Sequence, residues 1–208
     1  MSMIRFTDAD RQKITAAIHA AEKNTSGEFV AVVAKASDRY IAGALLWAGG
    51  LALLLPGILL LLPLHMRFVH IYQLQILLFI ALSLLFEFLP RLHMALVPRP
   101  VKHRRASQLA HAQFFEQGVH LTREHSGVLF FVSLAERYVE VVADKGIHEK
   151  LGQARWQEIV DAFVSHVQQG AVTEGFVAAI GACGAAMAEH YPAKPGDMDE
   201  LSDGLIEI

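Results

Sequence analysis

Two carboxylates stand where a cation could be held. Glu28 opens the apolar run Phe29-Val30-Ala31-Val32-Val33-Ala34, and Asp144 closes the run Tyr138 to Ala143. If both runs are strands of one sheet with these residues at the same end, Glu28 and Asp144 offer hard oxygen ligands for calcium or magnesium. Glu22, Glu124 or Glu149 would complete the shell. The plain alternative is a pair of solvated strand-end charges. Gly146, two residues after Asp144, would then permit a positive φ as the chain leaves the strand. Eleven histidines raise the question of zinc, but no H-E-x-x-H or paired C-x-x-C spacing is present. The pairs His65 with His70 and His120 with His125 match no usual ligand pattern, which favours surface or interfacial histidines.

Phosphate chemistry would need a nucleophile and a cradle. There is no Gly-rich loop of P-loop spacing and no Cys followed five residues later by Arg. Cys183 lies in an apolar stretch, as a small buried thiol would. Ser26 and Ser126 read as turn residues. A bound cation that activates water is the one route left to an enzyme.

The elements that must position these groups fall into two kinds. Hydrophobic residues make up 53% of the 208 and charged residues 19%, less charge than a soluble domain carries. The apolar excess is concentrated: positions 41–62 contain no charged residue and positions 71–89 contain only Glu87. As helices these stretches reach roughly 33 and 28 Å, close to the ~30 Å hydrocarbon layer, and so predict a transmembrane hairpin. Glu87 has Arg91 one turn on as an i,i+4 partner. Arg91, Arg99, Lys102, Arg104 and Arg105 follow the second stretch, Lys35 and Arg39 precede the first, and the connection carries Arg67 alone. The positive-inside rule then places both termini in the cytoplasm, in an inner or plasma membrane. The single cysteine agrees with a reducing compartment, and the polar, amphipathic first forty residues show no signal peptide. A net charge of −3 gives no reason to expect nucleic acid.

Outside the hairpin, Thr7 and Asp10 have capping-box spacing ahead of Ile14, Ala17, Ile18 and Ala21, predicting a helix over 8–24. The strand from Glu28 reads as buried on both faces. A helix over 102–117 brings the chain back. His125-Ser126-Gly127 then leads into Val128 to Val132, an echo of Thr25-Ser26-Gly27 and its strand. A turn at 135–137 and a third strand, Tyr138 to Ala143, antiparallel to the second, follow. Helices over 153–168 and 173–191 finish the domain. The second of these is apolar but too short to span, so it predicts a core helix in which Gly181, Gly184 and Ala185 allow close packing. The first two strands, joined by a long helical crossover, should pair in parallel.

Thr25-Ser26-Gly27-Glu28 with its strand, Gly127-Val128-Leu129, Ser133-Leu134-Ala135-Glu136-Arg137, Val139-Glu140-Val141 and Ala143-Asp144-Lys145-Gly146-Ile147 together resemble the TPM domain family. Trp156, Gly175, Ala179-Ile180 and His190-Tyr191-Pro192 fit the bacterial branch. The resemblance covers residues 7–36 and 102–192. It implies a small α/β sandwich, and members credited either with acid phosphatase activity and divalent-cation binding or with accessory and assembly roles. This chain differs in carrying its hairpin inside the domain. The expected organisation is a first domain part at 1–40, the transmembrane hairpin at 41–90, a second domain part at 91–192 and an acidic C-terminal tail at 193–208. The expected function is that of a membrane-anchored accessory or assembly module, with the lipid bilayer and another membrane protein as partners. A metal-dependent phosphatase with magnesium or calcium at Glu28 and Asp144 is the alternative.

Overall fold

A computed structural model describes residues 6–62, 67–122, 124–194, 201 and 204–208. The chain forms two units, one of residues 1–37 with 103–208 and one of residues 38–102. In the first, α1 (Asp8–Glu22) starts at Thr7. The Asp10 N–H donates to the Thr7 hydroxyl oxygen at 3.3 Å, and the Thr7 N–H donates to Asp10 Oδ2 at 2.9 Å, the reciprocal cap that the spacing predicts. Ile14 and Ile18, one turn apart, face the core and are fully buried.

Strands β1 (Glu28–Ala34) and β2 (Gly127–Ser133) are buried along their whole length, as uninterrupted apolar runs should be. They pair in parallel from Glu28 opposite Gly127 to Ala34 opposite Ser133. β3 (Tyr138–Ala143) turns back antiparallel to β2. The stretch read as an acidic tail contributes a strand of its own, β4 (Leu205–Glu207), parallel to β1, so the sheet order is β3-β2-β1-β4. Three residues without an alternating pattern of useful length give no strand signal; β4 exists because the edge of β1 is there to pair with.

Helices cover both faces, giving the α/β sandwich. On one face α1, α6 (Lys145–Gln168) and α7 (Val172–Ala188) bury Phe130, Phe163 and Phe176, whose rings meet edge to face at 5.0 to 5.5 Å. On the other, α5 (Arg99–Glu116) lays Ala106, Ala110 and Phe114 over Val30, Val32, Leu129 and Phe131. α7 ends at Ala188, three residues short of the sequence expectation, and two other helices start sooner than expected. α5 begins earlier, with Pro100 accommodated in its first turn. α6 begins at Lys145 rather than 153, because Asp144 caps it and Ile147 is buried. Gly152 (φ 74°) then kinks it at the place where the apolar periodicity resumes. Gly146 is therefore helical and takes no positive φ. Of the two glycines expected to let α7 pack closely, Gly184 does so: a Cβ there would lie 2.7 Å from Ala21 Cβ, whereas nothing lies within 4 Å of one at Gly181.

The second unit contains α2 (Ile41–Leu61), α3 (Phe68–Phe88) and the short α4 (Pro90–Leu96). α2 and α3 are each 21 residues long, and 11% and 0% of their apolar windows are buried; both are long and apolar enough to cross a membrane. Ala48 and Ala52 are the buried positions of α2, and Gly49 approaches Phe79. Near the hairpin's base Glu87 meets Arg39, Oε1 to Nη2 at 3.5 Å. The Arg91 side chain, its expected partner, lies outside the described residues.

Candidate functional site at one end of the sheet

Parallel pairing brings the two similar turns side by side. Thr25 Oγ1 donates to the Tyr191 carbonyl at 2.6 Å and accepts the Gly27 N–H at 3.1 Å. In the second turn the Ser126 N–H donates to Thr122 Oγ1 at 3.1 Å, and the Ser126 hydroxyl donates to the Ser26 carbonyl at 2.7 Å. The serines thus hold the sheet end together, as turn residues should, and the Ser126 hydroxyl is turned inward with the residue 1% exposed.

Glu28 and Asp144 do lie at the same end. Glu28 is opposite Gly127 in β1, and the Asp144 N–H donates to the Gly127 carbonyl at 3.1 Å from the other side. In-register neighbours project to one face, so both carboxylates flank Gly127 on the α5 side. Two strand spacings, about 10 Å, separate their backbones. The position over Gly127 is taken: a Cβ built there would lie 2.2 Å from the Val119 carbonyl oxygen, in the 3-10 turn Val119–Leu121. A backbone carbonyl, itself a hard oxygen, thus lies over Gly127, the residue that the two carboxylates flank.

The remaining acids are already engaged. Asp144 Oδ1 accepts the Lys145 N–H at 2.6 Å as the cap of α6, and Oδ2 lies 3.2 Å from His125 Nδ1. Glu22 Oε1 accepts the Phe29 N–H at 3.0 Å. Glu124 accepts from Lys194 and from the Ser26 hydroxyl, and these contacts, the Lys194 ammonium first, hold its carboxyl below the usual carboxylate range. Glu149 points along α6 to Lys145 at 3.8 Å. Among the described residues no group of three or more His, Cys, Asp or Glu is arranged to hold a metal ion.

Two features escape the sequence reading. His125 adopts φ 51°, a region that costs a non-glycine residue energy, and it places its ring, with the side chain 72% exposed, against Asp144. At the opposite end of the sheet, Ser133 and Glu136, 0% and 5% exposed, lock the exit of β1. The Ser37 hydroxyl donates to Ser133 Oγ at 2.8 Å, the Ser37 N–H donates to Glu136 Oε1 at 3.0 Å, and the Ser133 hydroxyl donates to Glu136 Oε2. The i,i+3 spacing of Ser133 and Glu136 across a turn is a signal for this lock; nothing local announces Ser37. Of the other histidines, His120 meets the Phe115 ring edge to face at 5.0 Å, His70 Nδ1 lies 3.4 Å from Gln73 Oε1, and His65 lies outside the described residues. Cys183 is 1% exposed, and burial pushes its thiol up to about 12.

Residues 91–186 match the model of the TPM domain. No curated protein matches the chain. The fold is similar to the NMR structure of the BA42 protein from the psychrophilic bacterium Bizionia argentinensis, with 20% identity and a TM-score of 0.63 over 100% of this chain and 98% of that one.

Proposed function

From the TPM domain carried by residues 91–186, we propose that this chain is a membrane-anchored accessory or assembly module, with its domain on the cytoplasmic face and another membrane protein as its partner. The hairpin carries this reading. Its two 21-residue helices are inserted between β1 and α5, so the chain leaves the domain and rejoins it within one crossover. Side chains such as Leu46, Leu53, Leu61, Phe68 and Phe88, more than 70% exposed, suit lipid as their solvent. One terminal span would suffice to tether a domain; two spans inside a crossover tie both β1 and α5 to the bilayer. The flanking Lys35, Arg39, Arg99, Lys102, Arg104 and Arg105 against Arg67 alone in the connection support cytoplasmic termini.

Reporters fused at residues 1 and 208 test the orientation. A cytoplasm-active reporter should work at both, and activity of an export-dependent one at either would overturn it. Crosslinking and pulldown of the full chain from native membranes tests the role, with reproducible stoichiometric partners expected.

A second reading is a metal-dependent phosphatase with Glu28 and Asp144 as ligands. It is supported by the placement of both carboxylates on one face of the sheet end beside His125. It asks more of the site, since Asp144 Oδ1 already accepts the Lys145 N–H and Oδ2 lies 3.2 Å from His125 Nδ1. An empty pulldown together with magnesium-dependent phosphate release by the purified protein, lost when Glu28→Gln is combined with Asp144→Asn, would favour it.

A further inference from the structure

β4 covers the outer edge of β1, but among the described residues nothing pairs with the outer side of β3. The register says which groups are left over. The Asp144 N–H bonds to the Gly127 carbonyl, so by the alternation of an antiparallel ladder Tyr138, Glu140 and Val142 are the residues of β3 bonded to β2. Val139, Val141 and Ala143 turn their N–H and C=O groups away from the sheet. Sheet edges are usually blunted by charged side chains, Pro, a bulge or a covering segment. The regular six-residue run Tyr-Val-Glu-Val-Val-Ala carries one charge, Glu140, and neither Pro nor bulge, and no strand among the described residues covers it.

This edge lies along a groove of about 380 Å³, lined by all six residues of β3, by His111 of α5 and by His148, Gln153, Trp156, Gln157 and Val160 of α6. Both helical layers line the groove, and an extended chain laid along the edge would satisfy its row of outward N–H and C=O groups. Its side chains would alternate between two environments. One is apolar, beside Val141, Trp156 and Val160. The other holds Tyr138 and Glu140, whose oxygens accept the Ser107 and Tyr138 hydroxyls at 3.3 and 3.1 Å; Glu140 is the only Asp, Glu, Lys or Arg among the residues lining the groove. Opposite charges across strands attract and like charges repel, so the second environment selects Lys or Arg. It also disfavours a second copy, whose own Glu140 would be brought close to this one.

We propose that β3 takes up, as a fifth strand, an extended segment of another protein in which apolar and basic side chains alternate. The inference rests on the module reading for its setting and adds to it the place and manner in which a partner segment is held.

The test uses the full chain in nonionic detergent and a fluorescein-labelled eight-residue peptide alternating Lys and Val, read by fluorescence anisotropy. Saturable binding is expected, at least tenfold weaker for a peptide alternating Glu and Val. Val141→Pro removes one outward N–H and spares the ladder to β2, so it should weaken binding at least tenfold at an unchanged unfolding midpoint. Glu140→Lys should reverse the preference between the peptides. If Val141→Pro lowers the midpoint, hydrogen exchange on the unaltered chain decides: the Val139, Val141 and Ala143 amides should exchange fast alone and slow with the Lys/Val peptide. Absence of saturable binding, equal binding by a folded Val141→Pro chain, protection elsewhere, or crosslinking of two copies through residue 141 would each overturn the proposal. The orientation and partners of the module are read by the reporters and pulldown, so either inference can fail without the other.

Discussion

Gly27 and Gly127 occupy the same place in two similar stretches, yet replacing each by Ala should have different effects. Neither has a positive φ, so Ala is allowed at both and by itself lowers the entropy of the unfolded chain by about 0.4–1 kcal/mol. At Gly27 the new Cβ would meet Met187 Cε at 2.0 Å and Sδ at 3.1 Å, the far end of a side chain with several rotatable bonds. Gly27→Ala should therefore stay within about 1 kcal/mol of the unaltered chain. At Gly127 the Cβ would meet the Val119 carbonyl oxygen at 2.2 Å, its Cγ1 at 2.6 Å and its carbonyl carbon at 3.0 Å. That backbone has little room to retreat, since Val119 is fully buried and the turn after it is tied by the Ser126 N–H to Thr122 Oγ1 bond at 3.1 Å. Overpacking of this kind costs about 1–3 kcal/mol, so after the gain from the unfolded chain Gly127→Ala should be destabilised by about 1.3 kcal/mol net. With a urea dependence of about 2 kcal/mol per molar, its midpoint should fall by roughly 0.6 M. Urea unfolding of the full chain in mild detergent, followed through the emission of Trp156 (3% exposed), measures this, with Trp47 in α2 as background. A Gly127→Ala midpoint equal to that of the unaltered chain, or an equal fall for Gly27→Ala, would refute the argument.

Cys183 should resist maleimide in the folded chain and react only at the rate of unfolding. Because burial raises its thiol from 9.0 to about 12, the folded state keeps a proton that the unfolded state loses, so its contribution to stability is complete below pH 9 and declines as pH rises from there toward 12. Millimolar magnesium or calcium should leave the unfolding midpoint unchanged, because the Asp144 and Glu124 oxygens already carry hydrogen bonds. A rise that disappears in the Glu28→Gln, Asp144→Asn double variant would place a cation there after all. Removing residues 193–208 takes away β4, the Arg11–Glu207 pair at 2.7 Å and the two bonds of Ile208 with Val33 and Lys35 at 2.9 Å. It should cost about 2–4 kcal/mol at roughly 1 kcal/mol per hydrogen bond, and light scattering should detect association through the uncovered edge of β1.

Local pattern by itself determined much of this protein. A 21-residue apolar helix, a capping box such as that of Thr7 and Asp10, and a buried strand such as Phe29 to Ala34 are written in neighbouring residues, because helix period, cap geometry and burial on both faces all act over a few positions. The parallel pairing of β1 with β2 also followed, since a long crossover permits little else. Tertiary structure decided what depends on residues far apart in the chain. β4 has no pattern of its own and forms because β1 presents an edge to a segment some 170 residues later. From the sequence Asp144 reads as a strand-end ligand or a solvated charge; that it also caps α6 follows from the burial of Ile147, which carries the helix back to this turn. Glu28 and Asp144 share a face and an end, as register alone implies, but only the packing of Val119 over Gly127 shows that a backbone carbonyl lies over the residue they flank. Spacing along a sequence can place carboxylates at one edge; whether their oxygens are open to a ligand or already bonded to Lys145, His125, Ser26 and Lys194 is settled by how the elements pack.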